Sequence, residues 1–160
     1  MRDEEGFTLI ELMVVVLIIA ILIAIAIPTF LGTRKTANDR AVASNVRNAF
    51  TAARTYYADK QEYTTDLAVM RSIEPSLTWT TTPLDGSQEP TTIYIEVQDF
   101  PTTKQTVIVV GRSKTGKCFY IRDVMSGTAT GTHYQAVVPA GANCSVPLVG
   151  DPGWADAWTG

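Results

Sequence analysis

Residues Phe7 to Phe30 form an almost wholly apolar run, and it narrows what this chain can fold into more than any other feature. Leu12 to Ile27 are 16 consecutive apolar positions, and Phe7 to Ile10 bring the segment to spanning length. A bilayer core of ~30 Å needs about 20 helical residues. A cleavable secretory signal has a basic n-region and a small-residue cleavage site after the apolar core. Here the preceding MRDEEG carries one Arg and three acids, and no A-x-A pattern follows the run. The apolar segment is therefore expected to stay with the mature chain. Inside it stands Glu11, although a carboxylate at the centre of a membrane helix costs roughly 2.5–3.5 kcal/mol.

The chain has 160 residues and a formal charge of −3, room for one ordinary domain beside the apolar run. Lys and Arg are too few and too scattered over the polar remainder to make nucleic-acid binding its main task. Cys118 and Cys144 lack CxxC spacing and have only His133 nearby, which argues against zinc. They are either two buried thiols or, if this part lies outside the cytoplasm, a disulfide closing a loop of 25 intervening residues.

The stretch GFTLIELMVVVLIIAILIAIAIP resembles the N-terminus of type IV prepilins and of the pseudopilins of type II secretion systems. A Gly, an aromatic residue, a Glu four places on and an unbroken apolar run carry the resemblance. It covers residues 1–60 closely and only the general layout thereafter. It implies cleavage after Gly6 by a prepilin peptidase, which also methylates the new amine of Phe7. Cleavage puts a cation four residues upstream of Glu11 on the same helix face. In similar pilins this glutamate pairs with the N-terminal amine of a neighbouring subunit during assembly. Read without the resemblance, Glu11 is also compatible with a polar residue at headgroup level near a helix end. Arg34, Lys35 and Arg40 follow the apolar run, so the positive-inside rule alone would place the C-terminal domain in the cytoplasm. The processing motif places it outside.

Pro28 has no amide hydrogen for the Ala24 carbonyl, so a kink or local loosening is expected there. The helical pattern then resumes, with Val42, Val46, Ala49, Ala53 and Tyr57 forming the stripe of an amphipathic helix. A helix from about Phe7 to Asp59 spans roughly 80 Å at 1.5 Å per residue. After a loop, Thr64, Thr65 or Asp66 is placed to cap a short helix that ends at Pro75. The period then changes to two. TTIYIEVQ, TVIVVGRS, KCFYIRDV and, more weakly, HYQAVV read as strands, separated by turn signals such as Asp85-Gly86 and Thr115-Gly116. The expected fold class is α+β: a long N-terminal helix packed on a small antiparallel sheet, the pilin fold. The expected organisation is a removed leader (1–6), a transmembrane and assembly half-helix (7–30), an amphipathic half (31–60) and a head (61–160).

Other signals carry less. GRSKTGKC, Gly111 to Cys118, nearly spells a phosphate-binding loop, but Cys stands where a hydroxyl is needed and a strand follows. His133 has no catalytic partner readable from sequence. Asn143-Cys144-Ser145 matches a common glycosylation pattern. Asp151 and Asp156 supply too few oxygens for an expected calcium site, so no cofactor is assigned. By resemblance, a Cys118–Cys144 disulfide pins the C-terminal region to the sheet. The tail around Trp154 and Trp158 reads as a flexible end, a packed flap or a contact surface.

These features imply a non-enzymatic subunit of an extracytoplasmic filament, held in the membrane by its N-terminal helix before assembly. Its partners are other pilin subunits, the peptidase-methylase and, indirectly, a platform protein and assembly ATPases. A secretion pseudopilin is the alternative, and a membrane-anchored enzyme or binding domain that borrowed the N-terminus is a third reading.

Overall fold

The computed structural model describes residues 6–99, 104–127, 130–139, 141, 143–146, 153–156 and 158. Leader residues 1–5 and Asp151 lie outside them. The chain divides into two compact units, residues 1–36 and 37–160.

In the first unit, helix α1 begins at Leu9; it runs to Lys60 and so continues into the second unit. Its apolar side chains from Phe7 to Leu31 are all exposed, down to 49% at Val14 and Ile19. Many of them are β-branched and only fair helix formers in water. A helix satisfies its backbone internally, which apolar surroundings demand. The helix assignment runs through Pro28 without a break.

The second unit starts from the other half of α1, where Val42, Val46 and Ala49 are fully buried and Ala53 nearly so. Ala43 and Ala52 widen this stripe. Tyr57 packs at its margin, only partly buried. Helix α2, Leu67–Ile73, starts at the N-cap Asp66, whose carboxylate accepts from the amides of Ala68 (2.9 Å) and Val69 (3.3 Å). Five strands follow: β1 (Thr78–Thr80), β2 (Thr92–Gln98), β3 (Thr106–Arg112), β4 (Cys118–Val124) and β5 (Gly131–Val137). They lie side by side in chain order. The last four are antiparallel neighbours, as the alternating patterns predict, whereas β1 runs parallel to β2. The sheet is therefore mostly, not wholly, antiparallel.

One face of the sheet packs on α1. Ile93, Ile95, Val107, Val109, Phe119 and Ile121 meet the α1 stripe in a single core. Gly111 lets the two layers approach: a Cβ there would lie 2.5 Å from a Val46 methyl and 2.8 Å from a Val42 methyl. The opposite face is buried as well. Tyr94, Ile108, Val110 and Tyr120 lie under Leu84, Cys144 and Trp154. Cys118 and Cys144 form a disulfide with Cα atoms 5.8 Å apart. An isolated bridge pairs Leu84 with Cys144. The near-match to a phosphate-binding loop is the β3–β4 hairpin turn: the Ser113 amide donates to the Lys117 carbonyl at 2.8 Å, and Gly116 takes φ +88°. A left-handed turn residue explains that glycine without any phosphate.

Candidate functional site

The entry to α1 is built from four residues. Gly6, Phe7 and Thr8 are exposed and precede the first helical residue, Leu9. A Cβ on Gly6 would meet nothing within 4 Å. Phe7 is 91% exposed, so the Gly6–Phe7 peptide bond is open to an enzyme. Thr8 occupies the N-cap and Glu11 the third helical position. The Thr8 amide and hydroxyl donate to Glu11 Oε2 at 2.9 and 2.6 Å. The Glu11 amide returns a bond to Thr8 Oγ1 at 3.3 Å. This reciprocal capping box satisfies two of the four amides that a helix start leaves open. It also gives the lone carboxylate of the run a partner within its own chain, a role that the signature T-x-x-E encodes in TLIE. Thr8 is not among the residues singled out from the sequence, although its T-x-x-E spacing to Glu11 is the signal that marks it.

Beyond Glu11, residues 12–28 of the first unit carry only apolar side chains, and Thr29 and Thr33 add hydroxyls before Arg34. One helix among the described residues, α1, is long and apolar enough to cross a membrane, and its most apolar stretch has no buried residue. Burying one such side chain is worth about 1.5–3 kcal/mol, so this surface strongly favours leaving water. Ala20 and Ala24 are four apart, the spacing at which helices approach closely. At Pro28 the freed carbonyl is that of Ala24, and Thr29 Oγ1 bonds the next one, Ile25, at 3.2 Å.

The second unit holds a buried polar cluster whose members come from distant parts of the sequence. Asp123, with a fully buried side chain, takes a two-point bond from Arg54: Nε to Oδ2 at 3.0 Å and Nη2 to Oδ1 at 2.9 Å. The Tyr63 hydroxyl donates to Oδ2 at 2.5 Å, and Thr132 Oγ1 donates to Oδ1 at 2.6 Å. Burial and the Asp123 carboxylate push the Tyr63 hydroxyl well above its ordinary value. Asp123 also holds the Arg54 guanidinium more firmly protonated. The cluster ties α1 to β4, β5 and the segment after α1. A second tie joins α1 to the β3–β4 turn, where Ser113 and Thr115 hydroxyls donate to Asp39 at 2.5 and 2.6 Å.

The described part of the C-terminal tail is packed, so of the three readings of the tail the flap fits it. Ala155 pairs with Tyr134 through bonds of 2.7 and 2.9 Å along the edge of β5. Trp158 meets Phe119 and Tyr134 edge-on at 5.5 and 5.4 Å, and Arg47 lies 4.5 Å from its ring centre. His133 stands opposite Arg122 in the β4–β5 register. Asn143 is exposed while Cys144 is buried.

Comparisons with known proteins bear on part of the chain. The family model of the prokaryotic N-terminal methylation motif matches residues 1–27. The chain is 44% identical over 73 residues to the type IV wide pilus major component PilA4 of Thermus thermophilus, covering 46% of this chain and 56% of that protein. It is 42% identical over 60 residues to the type IV major pilin protein PilA of Myxococcus xanthus, covering 38% of this chain and 27% of that protein. It is 31% identical over 70 residues to the competence protein ComGC of Halalkalibacterium halodurans, covering 44% of this chain and 69% of that protein. The chain thus spans about half and about a quarter of the first two relatives.

Proposed function

The chain belongs to the type IV prepilin family, and we propose from that premise that it is a structural subunit of a type IV pilus-like filament. In this reading a prepilin peptidase cuts after Gly6 and methylates the amine of Phe7. The apolar half of α1 holds the subunit in the membrane, with the sheet domain outside the cytoplasm, and later becomes the filament interior. A platform protein and cytoplasmic ATPases act on it indirectly. Heterologous contacts that do not close on themselves generate a helical polymer. Pro28 is where α1 loosens during assembly, because its ring removes one backbone bond.

The observation that carries the proposal is the start of α1: an exposed Gly6–Phe7 bond, then a capping box, then a spanning length of exposed apolar side chains. Glu11 is held by Thr8 before assembly. The cleaved amine, one residue away from Thr8, offers the same carboxylate a full positive charge on a neighbouring subunit. The Thr8 donors are neutral, so exchanging them for a cation adds charge–charge attraction and favours the polymer. The disulfide supports the extracytoplasmic placement, since such bonds persist in oxidising compartments. Intact mass and N-terminal sequencing of the native mature chain test the proposal. A start at methylated Phe7 is expected; filaments built from a chain that still begins at Met1 would refute it.

A second reading, a pseudopilin confined to the cell envelope, draws on the match covering 69% of a competence protein. Surface filaments sheared from cells distinguish the two: this chain is expected among their subunits if it is a pilin and absent if it is a pseudopilin.

A further inference from the structure

The sheet face turned away from α1 holds a polar group of side chains that the assembly reading does not use. Arg122 sits in mid-strand on β4, between Ile108 of β3 and His133 of β5, and is only 6% exposed. Its guanidinium carbon lies 4.4 Å from the ring centre of Trp154. Among the described residues no carboxylate pairs with it. Asp123, next in the strand, belongs to the opposite face and is held by Arg54, Tyr63 and Thr132. Glu96, two strands away in the same cross-strand row, accepts from Tyr94 and Gln98.

Among the described residues, Arg122 Nε and Nη1 are buried with no hydrogen-bond partner, and so are Trp154 Nε1 and Gln135 Oε1. These side chains are neighbours. Gln135 lies opposite Tyr120, two residues before Arg122 and on the same face. Its amide rests against Gly153, the residue before Trp154, where a Cβ would come within 2.8 Å of Gln135 Nε2. Buried polar groups are normally satisfied, and a buried unpaired cation is costlier still. Burial pushes the Arg122 pKa down. The group offers three unmet donors, two of them on a cation, and one unmet acceptor.

We propose that Arg122, Trp154 and Gln135 form a binding site for a phosphate group that retains a hydroxyl. Phosphate oxygens would accept from the Arg122 nitrogens and from Trp154 Nε1, and the phosphate hydroxyl would donate to Gln135 Oε1. A carboxylate or a sulfate answers the donors and leaves the Gln135 oxygen unpaired, which selects against both. Because Trp154 precedes the Ala155–Tyr134 bridge, an occupied site fastens the C-terminal flap to the sheet.

The test uses the full-length chain in detergent micelles, followed by thermal unfolding and tryptophan fluorescence. Inorganic phosphate, glycerol 3-phosphate and sulfate are titrated at matched ionic strength. Saturable stabilisation by inorganic phosphate or by glycerol 3-phosphate is expected, with sulfate binding about tenfold weaker or more. A response to inorganic phosphate alone assigns the free ion, and a response to both admits a phosphate monoester. Arg122→Gln should abolish the response. Trp154→Phe keeps the stacked ring but removes the donor and should weaken binding about tenfold. Formation of the Cys118–Cys144 bridge, read by mass, verifies folding; if Arg122→Gln does not fold, Trp154→Phe carries the test. No saturable response, equal binding of sulfate, or an unchanged response in Trp154→Phe overturns the proposal.

Discussion

Asp123 shows how one residue can hold several elements together. Its side chain has no exposed surface, and its two oxygens accept from Arg54, Tyr63 and Thr132. Removing it leaves the Tyr63 hydroxyl buried without an acceptor and cuts the tie from α1 to β4. Asp123→Ala is therefore expected to lower stability by about 2–4 kcal/mol, read as a lower urea midpoint in the oxidised chain. Its neighbours predict a pH dependence. Burial is the largest cause that raises the hydroxyl pKa of Tyr63, Tyr94 and Tyr120, the last pushed up to about 12. A group with a raised folded pKa contributes stability that is complete below its unfolded value, about 10 for tyrosine, and is lost as pH climbs toward the folded one. The urea midpoint should thus fall between pH 10 and about 12, and Tyr63→Phe should flatten that fall. Part of the cluster was legible in the sequence. The period of two that sets Phe119 and Ile121 on the core side also sets Asp123 there, an acid at a core position. Its partner Arg54 lies 69 residues away, and no local pattern encodes that distance.

Elements with a strong period were readable, and those without one were not. Of the four seven-residue strands, β2 and β4 announce themselves by alternation, β3 by a continuous apolar run and β5 more weakly, with turn signals between them. Strand β1 has three residues and pairs in parallel with β2, so neither length nor a hairpin turn marks it. Burial of the outer face was equally hidden, since it depends on Leu84, Cys144 and Trp154 arriving from distant segments. The α1 stripe was read correctly, yet the feature that lets it reach the sheet is on the sheet. Gly111→Ala would push a methyl to 2.5 Å from a Val46 methyl and 2.8 Å from a Val42 methyl. Both valines are fully buried with no room to retreat. A loss of about 1–3 kcal/mol is expected from this overpacking, measured by urea unfolding. The disulfide acts at the same scale, closing a separation of 26 residues between β4 and the segment bridged to Leu84. Replacing both cysteines by serine should remove about 2–4 kcal/mol, with the C-terminal segment becoming susceptible to limited proteolysis first.

For the whole molecule, α1 serves two solvents. Its stripe from Val42 to Ala53 is covered by the sheet, while its apolar side chains from Phe7 to Leu31 are exposed among the described residues. In the proposed reading that second surface is covered by lipid or by other copies of the same helix. Lipid and helix neighbours are similarly apolar, so the choice between them cannot rest on hydrophobic burial. In the proposed reading Glu11 supplies the difference: Thr8 caps its carboxylate within the chain, and a cation on another subunit would compete for it. Two substitutions separate these roles. Glu11→Gln keeps a capping box, in which glutamine serves at the third position, but removes the charge. Glu11→Val removes both, with a further loss of about 1 kcal/mol from the helix start. Both variants should insert in the membrane as well as the natural chain, since each lowers the cost of insertion. If the charge drives assembly, both should lose filament yield about tenfold or more, the response to ~1.4 kcal/mol per contact. Yield is measured as sheared polymer against membrane-held subunit in cells lacking the natural chain. Normal filaments from Glu11→Gln alone would assign the role of Glu11 to its cap, and normal filaments from both would deny it a role in assembly.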